Sequence, residues 1–135
     1  MTFLLPYTDY FMPSEEEAMA LSGLSDFEEI AQFLLDEGAG AVILTLGEGG
    51  VMYRDKDAIR VELPSFMIDV VCTCGCGDRF NTGFASGLHL KKSTEDCLYL
   101  GEASPAQNAL GLGSQAVVES LDETMNFIET KSLRV

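Results

Sequence analysis

Apolar residues recur along the chain with two different periods, and each period predicts its own kind of element. Phe27, Ile30, Ala31, Leu34 and Leu35 stand three and four residues apart, the stripe of an amphipathic helix. Ser25 or Asp26 can cap its start, and Gly38 and Gly40 close it. Ala41-Val42-Ile43-Leu44-Thr45-Leu46 is instead nearly continuous and runs into glycines, as expected of a central parallel strand covered on both faces. Before these, Asp9-Tyr10-Phe11-Met12 reads as a short strand ended by Pro13. Ser14 followed by Glu15, Glu16 and Glu17 has the spacing of a capping box, with Ser14 as N-cap and Glu17 at the third helical position. That helix is expected to end near Gly23.

Further on, Val51-Met52-Tyr53 and Ile59-Arg60-Val61 predict a β-hairpin joined by a charged turn over Arg54 to Asp57. Phe66 to Val71 runs extended into the glycine- and cysteine-rich stretch Cys72-Thr73-Cys74-Gly75-Cys76-Gly77-Asp78, after which Phe80, Phe84, Leu88 and Leu90 mark a helical face. A glycine-rich loop therefore opens a helix. Ser93 or Thr94 starts another helix towards Leu110, in which Pro105 predicts a break near Ser104, at a cost of about 3 kcal/mol for proline in a helix interior. Gly111 and Gly113 predict a turn, and Leu121 to Thr130 a final amphipathic helix. Alternating strands and helices around one apolar strand predict an α/β layered fold: a mostly parallel sheet flanked by helices, with a β-hairpin. In such folds ligands lie beyond the carboxyl ends of the strands.

Length and charge narrow the function. The 135 residues suit a single domain over 1–135, and 47% hydrophobic with 22% charged residues excludes a disordered or fibrous chain. A formal charge of -14 argues against nucleic-acid or anionic-membrane partners, so a bound polyanion needs local backbone donors or a metal. No apolar run reaches the roughly 18 residues of a membrane span, and the first residues lack a basic signal region, so a cytoplasmic location is expected. Cys72, Cys74 and Cys76 are too close for unstrained bridges to one another, which favours reduced thiols. With Cys97 they form the alternative of a four-thiolate zinc site, against which their one-residue spacing counts. His89 has no matching partner and is assigned no role.

The segment with most chemistry is Gly75-Cys76-Gly77-Asp78. Glycines let backbone amides converge and the helix that starts there adds a positive dipole end, together an anion site suited to a phosphoryl oxygen. Asp78 beside it either takes a proton from an attacking hydroxyl or merely caps the helix. Cys76 sits where the dipole lowers a thiol pKa and burial raises it, so its reactivity stays open.

The stretch Val70-Val71-Cys72-Thr73-Cys74-Gly75-Cys76-Gly77-Asp78-Arg79-Phe80-Asn81-Thr82-Gly83-Phe84 resembles the DTxGxGDxFxxGF signature of the ribokinase-like, or PfkB, family of carbohydrate kinases. Pro13-Ser14-Glu15-Glu16-Glu17-Ala18 resembles that family's PNEEEA helix start, and Thr45-Leu46-Gly47-Glu48-Gly49-Gly50 its TLGxxG nucleotide loop. Gly111-Leu112-Gly113-Ser114 resembles its adenine-side turn, and the motifs occur in family order. The resemblance implies an ATP-dependent phosphotransferase acting on a sugar or nucleoside hydroxyl. Asp78 would be its base, the amides of Gly75, Cys76 and Gly77 its anion hole, and Gly47, Gly50, Gly113 and Ser114 its nucleotide side. Glu17 would match the acidic residue that helps place magnesium through water.

Members of that family usually run to about twice this length, so the chain is similar to their C-terminal, ATP-side half, and substrate contacts are not carried over. It is expected to be weak or inactive alone. The alternative is a non-catalytic nucleotide-binding or interaction module that pairs with a copy of itself or with a chain supplying an N-terminal half. Cys72 stands where the family has aspartate, and a neutral thiol is a poor ligand for a hard cation, so potassium activation is not expected. Ser14 stands for asparagine, and Glu102 and Pro105 interrupt a usually apolar helix.

Overall fold

The computed structural model of the chain describes residues 2–71, 75–110 and 120–134. They fall into two units, Met1–Glu62 and Leu63–Val135. In the first, a 3-10 turn over Thr2–Tyr7 leads to β1 (Tyr10–Phe11), α1 (Glu15–Ser22), α2 (Phe27–Asp36), β2 (Ala41–Thr45), a second 3-10 turn over Gly47–Gly49, β3 (Val51–Asp55) and β4 (Arg60–Leu63). The four strands form one sheet in the order β1-β2-β3-β4.

Local chemistry sets the ends of these elements. The Ser14 side chain accepts from the Glu17 amide at 3.3 Å while the Glu17 carboxylate accepts from the Ser14 amide at 2.9 Å, which is the expected capping box. Gly23 ends α1 in the left-handed conformation, and Asp26 caps α2 by accepting from Glu29 N–H at 3.0 Å. The two helices carry the chain from β1 to β2, which pair in parallel with Tyr10 opposite Ala41. From β2 onward the connections are too short for a crossover, so β3 runs antiparallel to β2 with Thr45 opposite Val51, and the sheet is mixed. Val42, Ile43 and Leu44 are all fully buried, in keeping with a strand covered on both faces. Ile30, Ala31 and Leu34 of α2 pack with Ala18, Val42 and Leu44 into one apolar cluster.

The charged turn expected over Arg54 to Asp57 is corrected: Arg54 and Asp55 belong to β3, and Arg54 is buried. Its guanidinium bonds the carboxylates of Glu28 on α2 and Glu62 on β4, and Glu28 also accepts from Arg60 at 2.8 Å. Pairing on a rigid fork makes that burial tolerable, where an unpaired guanidinium would be expelled. The turn itself lies at Lys56–Ala58, where one Asp55 oxygen accepts from Asp57 N–H at 2.9 Å and Ile59 N–H at 3.0 Å.

The second unit holds α3 (Cys76–His89), α4 (Thr94–Asn108) and α5 (Leu121–Thr130). Ser93 caps α4, and Ser120 caps α5 in a second capping box with Glu123, whose S-x-x-E spacing is the same signal as at Ser14. α3 and α4 lie close enough that a side chain at Gly83 would overlap the Leu100 carbonyl. Phe66 and Phe127 meet edge to face with ring centroids 5.1 Å apart, in a cluster with Ala103 and Ala106. The expected break near Ser104 is absent, and α4 continues through Pro105 to Asn108. Burial of Cys97, Leu98, Leu100, Ala103 and Ala106 outweighs the roughly 3 kcal/mol that proline costs, at about 1.5–3 kcal/mol for each large apolar side chain. The Pro105 carbonyl itself is used normally, accepting from Ala109 N–H at 2.8 Å. Among the described residues no helix is long and apolar enough to cross a membrane.

Candidate functional site

In the first unit the expected residues gather at the carboxyl edge of the sheet. β1 runs through Pro13 to Ser14, which bridges to Thr45 at the end of β2, and Thr45 N–H donates to the Pro13 carbonyl at 3.2 Å. The start of α1, with Glu17, and the glycine turn after β2 are therefore neighbours. In that turn Gly47 and Gly50 have φ of 55° and 88°, and Gly50 N–H closes it on the Gly47 carbonyl at 3.1 Å. Positive φ and absent side chains leave this backbone open to a ligand's approach. Glu17 is exposed, with one carboxylate oxygen engaged by Ser14 N–H.

In the second unit Gly75, Cys76, Gly77 and Asp78 form the start of α3. Gly75 is the N-cap, left-handed at φ 72°, and the first bond of the helix runs from Arg79 N–H to the Gly75 carbonyl at 3.0 Å. The amides of Cys76, Gly77 and Asp78 precede that bond and have no acceptor within the helix, so the turn offers donors and a dipole end to an anion. Asp78 is exposed at the third helical position. Because Gly75 caps the helix, the reading of Asp78 as the cap falls away, and its carboxylate stands on the same turn as the amides.

Cys76 turns the other way. It is half-buried, and its S–H reaches the Pro105 carbonyl oxygen at 3.7 Å. Burial pushes the thiol pKa up and outweighs the nearby Arg79 charge, so the thiol stays protonated. Cys97, fully buried in α4, is pushed up by burial too. The periodicity of α4 gives no sign that Pro105 meets Cys76, because a contact between residues 29 positions apart leaves no local mark. Glu102 is buried as well, and desolvation raises its pKa to about 7.

Gly113 and Ser114, expected on the nucleotide side, lie outside the described residues, as do Cys72 and Cys74 of the zinc alternative. Among the described residues no three or more His, Cys, Asp or Glu side chains converge on a metal position. A single exposed carboxylate such as Glu17 fits magnesium in the manner usual for that ion, which keeps several waters and is held by one or two carboxylates together with substrate phosphates.

The sequence profile of the pfkB family carbohydrate kinase matches residues 1–121. A ribokinase of Haemophilus influenzae is 31% identical over 131 residues, covering 93% of this chain and 42% of its own length. Among solved structures, a ribokinase from Thermotoga maritima superposes with a TM-score of 0.89 at 31% identity, over 96% of this chain and 45% of that one. An E. coli protein assigned as a ribokinase II, solved in complex with ATP and Mg2+, superposes with a TM-score of 0.87 at 28% identity, over 95% and 41%. The chain thus spans about two-fifths of the length of the relatives it matches.

Proposed function

The chain belongs to the pfkB family of carbohydrate kinases, and from that premise we propose that it forms the ATP side of a phosphotransferase acting on a sugar or nucleoside hydroxyl. The observation that carries the reading is the first turn of α3, where the left-handed Gly75 sets amides and the Asp78 carboxylate on one turn without spending the carboxylate as a cap. Asp78 takes the proton of the acceptor hydroxyl. The hydroxyl oxygen then forms a bond to the γ-phosphorus as the bond to the bridging oxygen breaks, and ADP leaves. The amides of Gly75, Cys76 and Gly77 stabilise the charge on the transferred phosphoryl group, an effect usually larger than the proton transfer. Gly47 and Gly50 receive the nucleotide with Gly113 and Ser114. Magnesium, bound with the triphosphate, offsets phosphate charge, and Glu17 would hold one of its waters.

A second reading is favoured by the span of about two-fifths of the relatives' length. In it the chain binds nucleotide without turnover, and transfer requires a second chain or a second copy that completes the cleft. Titration with Mg-ATP, and ADP release against a panel of sugars and nucleosides, separate the two in wild type and Asp78→Asn. Turnover that falls at least about a hundredfold in the variant while Mg-ATP affinity holds supports the kinase. Binding without turnover in wild type supports the second reading, and no binding overturns both.

A further inference from the structure

A groove of about 700 Å³ runs along the outer face of α3, lined by Asn81, Thr82, Ala85, Ser86 and His89. The opposite face of the helix is spent on α4, where a side chain at Gly83 or Gly87 would overlap Leu100 or Cys97. Leu90 and Leu121 also line the groove, and both are exposed. Two hydroxyls in it are already used within the helix: Thr82 Oγ1 donates to the Asp78 carbonyl at 2.9 Å, and Ser86 Oγ to the Thr82 carbonyl at 2.8 Å. A covering surface therefore leaves neither hydroxyl unbonded, and it gains the apolar area of the two leucines and Ala85. Such a groove suits a packed helix better than a polar small molecule.

Charge says which helix. Asp78, Thr82, Ala85 and His89 follow one another at steps of four, three and four residues, a single helical stripe that reads the same from either end. Asp78 closes one end of it, and His89 closes the other, followed by the exposed Lys91 and Lys92. Arg79 lies off the stripe, and Glu95 and Asp96 belong to α4, outside the groove. An antiparallel copy that crosses between Thr82 and Ala85 sets each acidic end against the other's basic end and opposes the two helix dipoles. No aspartate or glutamate lines the groove. The Leu63–Val135 unit also holds five of the eight Lys and Arg but only nine of the 22 Asp and Glu, so the repulsion of a chain at -14 is weakest on this unit.

We propose that two copies of this chain pair across this groove, α3 against α3 and antiparallel, with Asp78 of each copy against His89 of the other. The second copy then brings its Lys91 and Lys92 level with the first turn of α3, where an anion meets the Cys76, Gly77 and Asp78 amides. This deepens the reading in which a second copy completes the site, and it rests on that reading only for the last step, since the pairing is tested without nucleotide.

Sedimentation velocity of the full chain, over a concentration series up to about 100 μM, measures the pairing. Wild type should pass from monomer to dimer, and Ala85→Arg should stay monomeric. His89→Glu opposes Asp78 at both ends of the crossing and should raise Kd at least about tenfold. Exchange of the two charges, Asp78→Lys with His89→Glu, should return Kd to within about threefold of wild type. All three positions are exposed, so the variants should keep the wild-type circular dichroism. A monomeric wild type, a dimer that Ala85→Arg leaves intact, or a double variant as weak as His89→Glu alone would each overturn the pairing. A groove that takes only an added chain carrying the rest of the relatives' length overturns it too, and gives the groove to that chain. Mg-ATP binding at least about threefold tighter in wild type than in Ala85→Arg would join the dimer to the anion turn, and equal binding would overturn that step alone. Absence of Mg-ATP binding in wild type would refute the nucleotide reading and leave the measured mass to judge the pairing.

Discussion

Replacing Glu102 by glutamine should change the way the stability of the Leu63–Val135 unit follows pH. Glu102 lies in α4 between the fully buried Ala103 and Gly101, and is itself only 9% exposed. Burial raises its carboxyl pKa from the ordinary 4.5 to about 7. Between those two values the unfolded chain has lost this proton and the folded chain keeps it, so the folded state binds more protons and stability falls as pH rises. The contribution is complete below pH 4.5 and is lost by the time pH passes about 7. At 1.36 kcal/mol per pH unit the whole effect is about 3 kcal/mol, of which about 2.5 kcal/mol falls between pH 5 and 8. Glutamine has the same shape and no such titration, so Glu102→Gln should gain on wild type by that amount over this range and then run parallel. The self-repulsion of a chain at -14 acts on both proteins and nearly cancels in the difference. With no tryptophan in the chain, urea unfolding followed by far-UV circular dichroism at four pH values is the suitable assay. Two stability curves that stay parallel from pH 5 to 8 would refute the reasoning and mean that the carboxylate is solvated in the folded chain.

Three further outcomes follow from the packing. Gly83→Ala should destabilise by about 1–3 kcal/mol, because the obstructing atom is a backbone carbonyl that cannot turn aside, and an unchanged melting temperature would mean that α3 and α4 separate freely. Arg54→Lys keeps the charge but loses the fork that serves Glu28 and Glu62 together, so about 2 kcal/mol of stability should be lost, and wild-type resistance to urea would count against this. Lys91 holds φ 55° just after α3, where its N–H closes on the Leu88 carbonyl at 3.0 Å. Lys91→Gly should relieve that strain and stabilise by about 0.5–1 kcal/mol, visible as a higher melting temperature, and a lower one would refute it.

The parts of this protein that the sequence determined by itself are those whose energetics lie within one helical turn. Ser14 with Glu17, Gly23 and Asp26 set helix ends because a cap and its amide are separated by two to four residues, and the apolar period of Phe27 to Leu35 needs no knowledge of what it packs against. The glycine loop opening α3 was legible on the same ground, and with it the amides and carboxylate of the candidate site. Tertiary structure alone decided the burial of Arg54, the passage of α4 through Pro105, the raised pKa of Glu102 and the contact of Cys76 with the Pro105 carbonyl. Arg54 meets Glu28 across 26 residues and Cys76 meets Pro105 across 29. Desolvation and long-range pairing depend on which neighbours arrive from elsewhere in the chain, and so the residues that read as a charged turn and a helix break became a buried arginine paired with two carboxylates and a continuous helix.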